Sequence, residues 1–277
     1  MAPPPSPATP NQSFFSSLTH VSVLKVGGAV LEDPAKLEAF IGEFLKVEGP
    51  KILVHGGGRK ATELCEKLGI PTRMVQGRRV TSKETLEVVT MAYAGTTNKG
   101  VVVELAKRGE SALGMSGADM NLLRSHVRPP VEIDGEVYDF GYVGDIDSVN
   151  VEVLDSLLER GIVPVICSLS FDGTSLLNTN ADSVASSIAV ALAKGGGRDV
   201  DLYFCFEKRG ILADQDDESS LIPSVTPGSV ERLISEGTIS GGMIPKVHNA
   251  LRAVESGVSR VFITSYKSPL GGTVVTK

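Results

Sequence analysis

Val21-Ser22-Val23-Leu24-Lys25-Val26-Gly27-Gly28 and Lys51-Ile52-Leu53-Val54-His55-Gly56-Gly57-Gly58 share one form, a short apolar run that stops at glycines. Each run has strand length, and each is followed by a helix-period segment, over residues 34–46 and 60–68. A β-α-β-α order implies a largely parallel sheet covered by helices, so the expected class is α/β, an open mostly parallel sheet sandwiched by helices.

Outward from this stretch the alternation continues. Thr81-Ser82-Lys83-Glu84 has Thr-x-x-Glu capping-box spacing, which predicts one long helix over 82–108, bent at Gly95. Asp134-Gly135 between alternating residues is a hairpin signal, and residues 119–147 are expected to form an antiparallel flap. Helices are predicted over 151–160 and 181–194, with a strand over 163–168 and a hairpin at Asp172-Gly173 between them. Gly195-Gly196-Gly197 then ends a helix and marks a lobe boundary. Beyond it come a strand over 201–206, an acidic loop through Ser220, helices over 229–236 and 242–256, and a strand over 260–264. The expected organisation is a disordered tail over 1–20, an N-terminal lobe over 21–196 and a C-terminal lobe over 197–277. Five prolines, four serines and two threonines within the first 19 positions leave the tail too little apolar surface to offset the entropy of ordering.

Composition removes several function classes. The 277 residues are 42% hydrophobic, carry a formal charge of −6, and include 5% aromatics and no Trp, so a basic, ring-stacking nucleic-acid surface is not expected. No apolar run reaches the ~20 residues of a bilayer-spanning helix, and the start lacks a basic region followed by an apolar stretch. No membrane association and a cytoplasmic setting are expected. Cys65, Cys167 and Cys205 stand far apart and read as small buried hydrophobes. His20, His55, His126 and His248 show no zinc-ligand spacing, so no protein-held metal is expected.

Chemistry gathers at the glycines. Lys25 with Gly27 and Gly28 joins a cation to a close backbone turn, although an ordinary strand-ending turn reads the same way. His55-Gly56-Gly57-Gly58 precedes a helix, so free amides and helix dipole point together, the composition of an anion site. It matches neither the Walker loop nor the dinucleotide fingerprint, and His55 reads as packed rather than as a general base. Arg78-Arg79 stands ahead of a helix start, where one planar fork suits a carboxylate. Asn178-Thr179-Asn180-Ala181-Asp182 places amides and a carboxylate at a helix entrance, where Asn180 or Asp182 also has the chemistry of a cap. Ser240-Gly241-Gly242 opens another helix, and Lys246 in its first turns opposes the dipole, which calls for an anion nearby. Glycine-rich element ends, two separated lysines and no acid/base pair suit phosphoryl transfer.

These segments, taken in order with Ala94-Gly95-Thr96-Thr97-Asn98-Lys99 and Gly242-Met243-Ile244-Pro245-Lys246, resemble the amino acid kinase family, and within it the branch that phosphorylates acylated glutamate. The resemblance implies transfer of the γ-phosphoryl group of ATP, with Mg2+, to the γ-carboxylate of N-acetyl-L-glutamate, a step of arginine biosynthesis. It implies an acylglutamate-binding N-terminal lobe, an ATP-binding C-terminal lobe and a homodimer. Carried over position by position, Lys25 and Lys246 neutralise the transferring group, and Asp182 accepts hydrogen bonds from both. The backbone of Gly27, Gly28, Gly56 and Gly57 holds phosphoryl oxygens, with Gly56 and Gly57 also against the acyl substrate. Arg79 clamps the α-carboxylate and Asn178 holds the amino-acid portion.

This chain departs from the family where most relatives carry Thr/Ser-Asp-Val, reading Phe206-Glu207-Lys208-Arg209-Gly210 instead, and its C-terminus is short. Two alternatives stand beside the first reading. One is the same reaction on N-succinyl-L-glutamate, whose second carboxylate would want a partner such as Lys99, Arg124 or Arg128. The other is a catalytically silent binding protein that kept the fold.

Overall fold

In the computed structural model, which describes residues 19–277 except Gly197, the expected tail lies outside the described residues save for its last two. His20 already opens strand β1 (His20–Val26), which is followed by α1 (Gly28–Leu31), α2 (Pro34–Leu45), β2 (Lys51–His55) and α3 (Gly58–Lys67). A hairpin of β3 (Arg73–Val75) and β4 (Arg78–Val80) leads to α4 (Lys83–Thr90), a π-helical segment Met91–Thr97, and α5 (Asn98–Ala106). Next come β5 (Ala112–Met115), β6 (Leu123–Val127), the hairpin β7 (Val131–Ile133) and β8 (Glu136–Tyr138), and β9 (Gly144–Val149). Then follow α6 (Val151–Leu158), β10 (Val163–Cys167), β11 (Leu169–Phe171), β12 (Leu176–Asn178), α7 (Ala181–Gly196) and β13 (Asp199–Phe206). The chain closes with β14 (Ser224–Val225), α8 (Pro227–Ser235), α9 (Met243–Glu255), β15 (Arg260–Ser265) and β16 (Ser268–Val275).

Eight strands form one sheet in the order β14-β16-β15-β13-β1-β2-β10-β5, and every neighbouring pair except β15 with β16 is parallel. This is the expected α/β class. Period-2 alternation assigns the two faces. Val21 and Val23 of β1, Ile52 and Val54 of β2, and Val200, Leu202 and Phe204 of β13 pack in one core with α7 and α9. Leu24, Val26, Leu53, Tyr203 and Cys205 point the other way, onto Phe40, Ile41 and Phe44 of α2 and Val101 and Leu105 of α5. Fully burying one such phenylalanine stabilises the fold by roughly 1.5–3 kcal/mol. The same alternation sets Lys25 on the α7 face, since it continues the Val21, Val23 series. Strands from both sides of the expected lobe boundary share this sheet, because β13 pairs with β1 from His20↔Asp199 to Val26↔Cys205.

Local chemistry explains the starts and turns. Asp33 caps α2 by accepting from the amides of Ala35 and Lys36, with Pro34 in the first turn. Asp134 and Gly135 both take positive φ, 52° and 81°, as a tight hairpin turn demands. Around that hairpin, β6 and β9 pair antiparallel and join β11 and β12 in a four-stranded sheet.

Three expectations change. The cap of α4 is Ser82, whose Oγ accepts from the Thr85 amide at 3.2 Å; Thr81 is buried in a bridge to Gly141. The long helix over 82–108 is continuous, and its middle turns, which include Gly95, are π-helical. The C-terminus contains an eight-residue strand, β16, that the sequence reading left out. Its Gly272 takes φ of 96°, and a Cβ there would lie 2.5 Å from the Ile263 carbonyl oxygen, so a Gly-Gly pair that reads as loop serves a strand irregularity.

Candidate active site

Parallel strands all end at one edge of the sheet, and in open α/β sheets that edge is where ligands bind. Here the ends of β1 and β2, the β12–α7 junction and the β4 hairpin surround a cavity of about 220 Å³. Lys25, Gly27, Gly28, Gly56, Gly57, Arg79 and Asn178 all line it, so seven residues singled out in the sequence meet at one place.

The glycine loops touch each other. A Cβ on Gly28 would stand 3.3 Å from the Gly57 Cα, and one on Gly57 would stand 2.8 Å from the Tyr93 ring, which only glycine avoids. Helix α3 starts at Gly58, so the amides of its first turn have no partner within the helix. Glu32 takes one of them: its Oε1 accepts from the Lys60 amide at 2.8 Å. Glu32 Oε2 is buried without a hydrogen-bond partner, and burial pushes its carboxyl above the usual range.

Lys25 is buried, and its Nζ lies 2.8 Å from Asp182 Oδ1, an ion pair whose angle falls outside hydrogen-bond geometry. Asn180 makes that pairing available. Its Oδ1 accepts from the amides of Asp182 and Ser183 at 2.8 and 3.2 Å, which caps α7 and leaves the Asp182 carboxylate to face Lys25. Lys246 stands next door, lining two adjoining cavities of about 400 and 320 Å³ together with Lys208, Gly210 and Met243. No carboxylate among the described residues lies within 4 Å of its Nζ, so Asp182 contacts Lys25 and not Lys246. Lys246 Nζ instead sits 3.8 Å from the ring centroid of Phe206, and Lys25 Nζ lies 5.3 Å from the same centroid. Burial lowers the Lys246 ammonium below the usual lysine range; Asp182 works against that shift and Lys25 adds to it.

Arg79 is 6% exposed. Its Nη2 donates to the Gly58 carbonyl at 2.9 Å and to Thr62 Oγ1 at 2.7 Å, while Nη1 is buried with no partner. A buried, unpartnered guanidinium nitrogen beside a cavity has the chemistry to donate to an anionic oxygen. Asn178 donates through Nδ2 to Thr81 Oγ1 at 3.0 Å. His55 is fully buried, its Nδ1 bonded to the Gly56 carbonyl at 2.8 Å and its Nε2 to Asn98 Nδ2 at 3.0 Å. Burial pushes it down to about 4, so it is neutral near pH 7 and structural, as read. Burial likewise pushes the Cys167 and Cys205 thiols up to about 12.

Sequence reasoning missed Met74, Tyr93, Val143 and Ser168 among the lining residues. Tyr93 carries no motif, and only its packing on Gly57 brings it in. Of the three cations considered for a second substrate carboxylate, Arg128 alone lines the cavity. Lys99 bonds the Gly114 carbonyl and Arg124 that of Asp172.

The chain is similar to several known proteins. Acetylglutamate kinase of Phocaeicola vulgatus is 46% identical over 260 residues, covering 93% of this chain and 98% of that protein. Acetylglutamate kinase of Methanopyrus kandleri is 42% identical over 254 residues, covering 91% and 98%. A solved Streptococcus mutans structure matches with a TM-score of 0.74 at 28% identity, covering 92% and 98%. Giardia carbamate kinase shares the fold, with a TM-score of 0.65 at 14% identity over 95% of this chain and all of that one. The model of the amino acid kinase family matches residues 20–265. From the ordered glycine-rich ends, the parallel sheet that carries them and these likenesses, the chain belongs to the amino acid kinase family.

Proposed function

We propose that the chain is an ATP-dependent acylglutamate kinase of arginine biosynthesis, transferring the γ-phosphoryl group of ATP to the γ-carboxylate of N-acetyl-L-glutamate. The supporting observation is Arg79 Nη1, buried and unpartnered beside a cavity that the Lys25–Asp182 pair also lines or backs. A carboxylate substrate with a second carboxylate to phosphorylate suits both ends. The relatives named acetylglutamate kinase support the same choice.

In this reading Arg79 holds the α-carboxylate and Asn178 the amino-acid portion. The γ-carboxylate is ionised at pH 7 and needs no general base. Its oxygen attacks the γ-phosphorus; that O–P bond forms as the bond to the β-phosphate oxygen breaks, and ADP leaves. Amides of Gly28, Gly56 and Gly57 hold the phosphoryl oxygens, with the Gly27 backbone beside them. Lys25 and Lys246 offset the charge, and positioned charge stabilisation is the main protein contribution to such a transfer. Residues 21–196 serve the acyl amino acid, and residues 197–277 hold the nucleotide in the cavities around Lys208, Gly210 and Met243. Mg2+ would accompany ATP and offset the charge of its phosphate oxygens.

A second acyl group is favoured by one observation. Arg78 and Arg128 both line the cavity; Asp145 holds Arg128 through its Nε at 3.1 Å, whereas no carboxylate lies within 4 Å of Arg78 among the described residues. A succinyl carboxylate would fill that place. The homodimer and cytoplasmic setting belong to the proposal too. Met91 on the π-helical segment and Val103 on α5 are more than half exposed, apolar surface that a second copy would cover. Among the described residues no helix is long and apolar enough to cross a membrane.

The test is ADP release with Mg-ATP and, side by side, N-acetyl-L-glutamate, N-succinyl-L-glutamate, L-glutamate and L-aspartate. Preference for an acylated glutamate supports the proposal and fixes the acyl group. Turnover of an unacylated acid alone rejects it, and binding without ADP marks a silent protein.

A further inference from the structure

Two ammonium groups stand near one carboxylate in this site. Lys25 pairs with Asp182, among the described residues no carboxylate lies within 4 Å of Lys246, and the charge on Lys25 raises the cost of charging Lys246. Phe206 fills the gap. It continues the Leu202, Phe204 face of β13, and in the parallel register Lys25 lies beside Phe204, so Phe206 projects past the end of β1 on the side where Lys25 and Lys246 stand. Lys246 Nζ is 3.8 Å from its ring centroid and Lys25 Nζ 5.3 Å, both within cation–π range. Phe204 backs the ring with a near-parallel contact, centroids 6.3 Å apart, which fixes its plane.

We propose that Phe206 is a positioning residue, an aromatic platform that holds Lys25 and Lys246 together at the transferring phosphoryl group without adding negative charge. A second carboxylate at this spot would steady Lys246 equally well, yet it would repel every phosphate oxygen of the incoming nucleotide. A ring face attracts the ammonium through its quadrupole and leaves the net charge untouched. The charged groups facing Lys246 are Asp182 on α7, Lys25 on β1 and Lys208 in the loop after β13.

This inference rests on the reading of Lys246 as a phosphoryl-neutralising lysine, and its test separates the two. Phe206 is replaced in the full chain by mono-, di- and trifluorophenylalanine, which keep the shape while draining the negative ring face, and by Leu or Met, which keep apolar packing without a ring. The expected result is a graded fall in kcat, about tenfold for the trifluoro ring and for Leu, with KM for the acyl amino acid unchanged. The alkaline limb of kcat moves to lower pH along the series, because the ring favours charged Lys246. Thermal melts confirm that the fluorinated series is folded, and it carries the test even if Leu or Met does not fold. A kcat and alkaline limb flat across the series, with Lys246→Ala inactive, overturns the platform alone. A normal kcat in Lys246→Ala overturns the platform and the lysine's assigned role together.

Discussion

At Arg79 one guanidinium does two jobs with different nitrogens. Nη2 ties the β4 hairpin to α3 through Gly58 and Thr62, and Nη1 is left buried without a hydrogen-bond partner. Arg79→Lys should therefore fail almost as badly as Arg79→Ala, because a point charge cannot serve both directions. We expect either change to raise KM for the acyl amino acid by ~10- to 100-fold with a smaller effect on kcat, as steady-state kinetics would read. His55 gives a second prediction at this scale. Its folded pKa of about 4 lies below the ordinary 6.5, so between those values the unfolded chain binds a proton that the folded chain does not. Its contribution is thus present above pH 6.5 and lost as pH falls toward 4, on the order of 3 kcal/mol in all. Urea midpoints at pH 7 and pH 5 should differ more for the wild type than for His55→Asn; equal differences would contradict the assignment. Residue identities at the cation sites were legible in the sequence, because lysines and arginines beside glycines are a local signal. The neighbours that complete them were not: Phe206 reaches the lysines only through the register of β13 on β1, and Tyr93 reaches the glycines only through the packing of the π-helical segment on Gly57.

Glycine-ended strands are the working elements, and their value is in what fits between them. Gly57→Ala pushes a methyl to 2.8 Å from Tyr93 Cδ1, and the ring is buried and cannot retreat freely. We expect a stability loss of about 1–3 kcal/mol and a fall in activity, followed by melts and kinetics. Gly95→Ala, where a Cβ meets nothing within 4 Å, should leave both nearly unchanged. A tolerant Gly57 and a sensitive Gly95 would reverse our account of the loop and the π-helical segment. Element existence was readable wherever periodicity was strong, as in β1, β2, α3 and α7. Strand β16 was hidden because Pro269, Gly271 and Gly272 interrupt its alternation, and its place is set by pairing with β15 rather than by its own residues. The cap of α4 moved from Thr81 to Ser82 because the bridge to Gly141 buries Thr81 and takes it out of competition.

For the whole molecule, one continuous sheet carries both halves of the site. β1 pairs with β2 on one side and β13 on the other, so the Lys25, Gly28 and Gly57 cluster and the Phe206–Lys246 cluster share one rigid edge. Trapping the product with hydroxylamine during turnover of Mg-ATP and acylglutamate, counted against ADP, tests directly whether this edge moves a phosphoryl group onto a carboxylate. We predict one acyl hydroxamate per ADP, with both lost together, by roughly 10²–10³-fold, in Lys25→Ala. ADP released without hydroxamate, or a Lys25→Ala variant at wild-type rate, would contradict it.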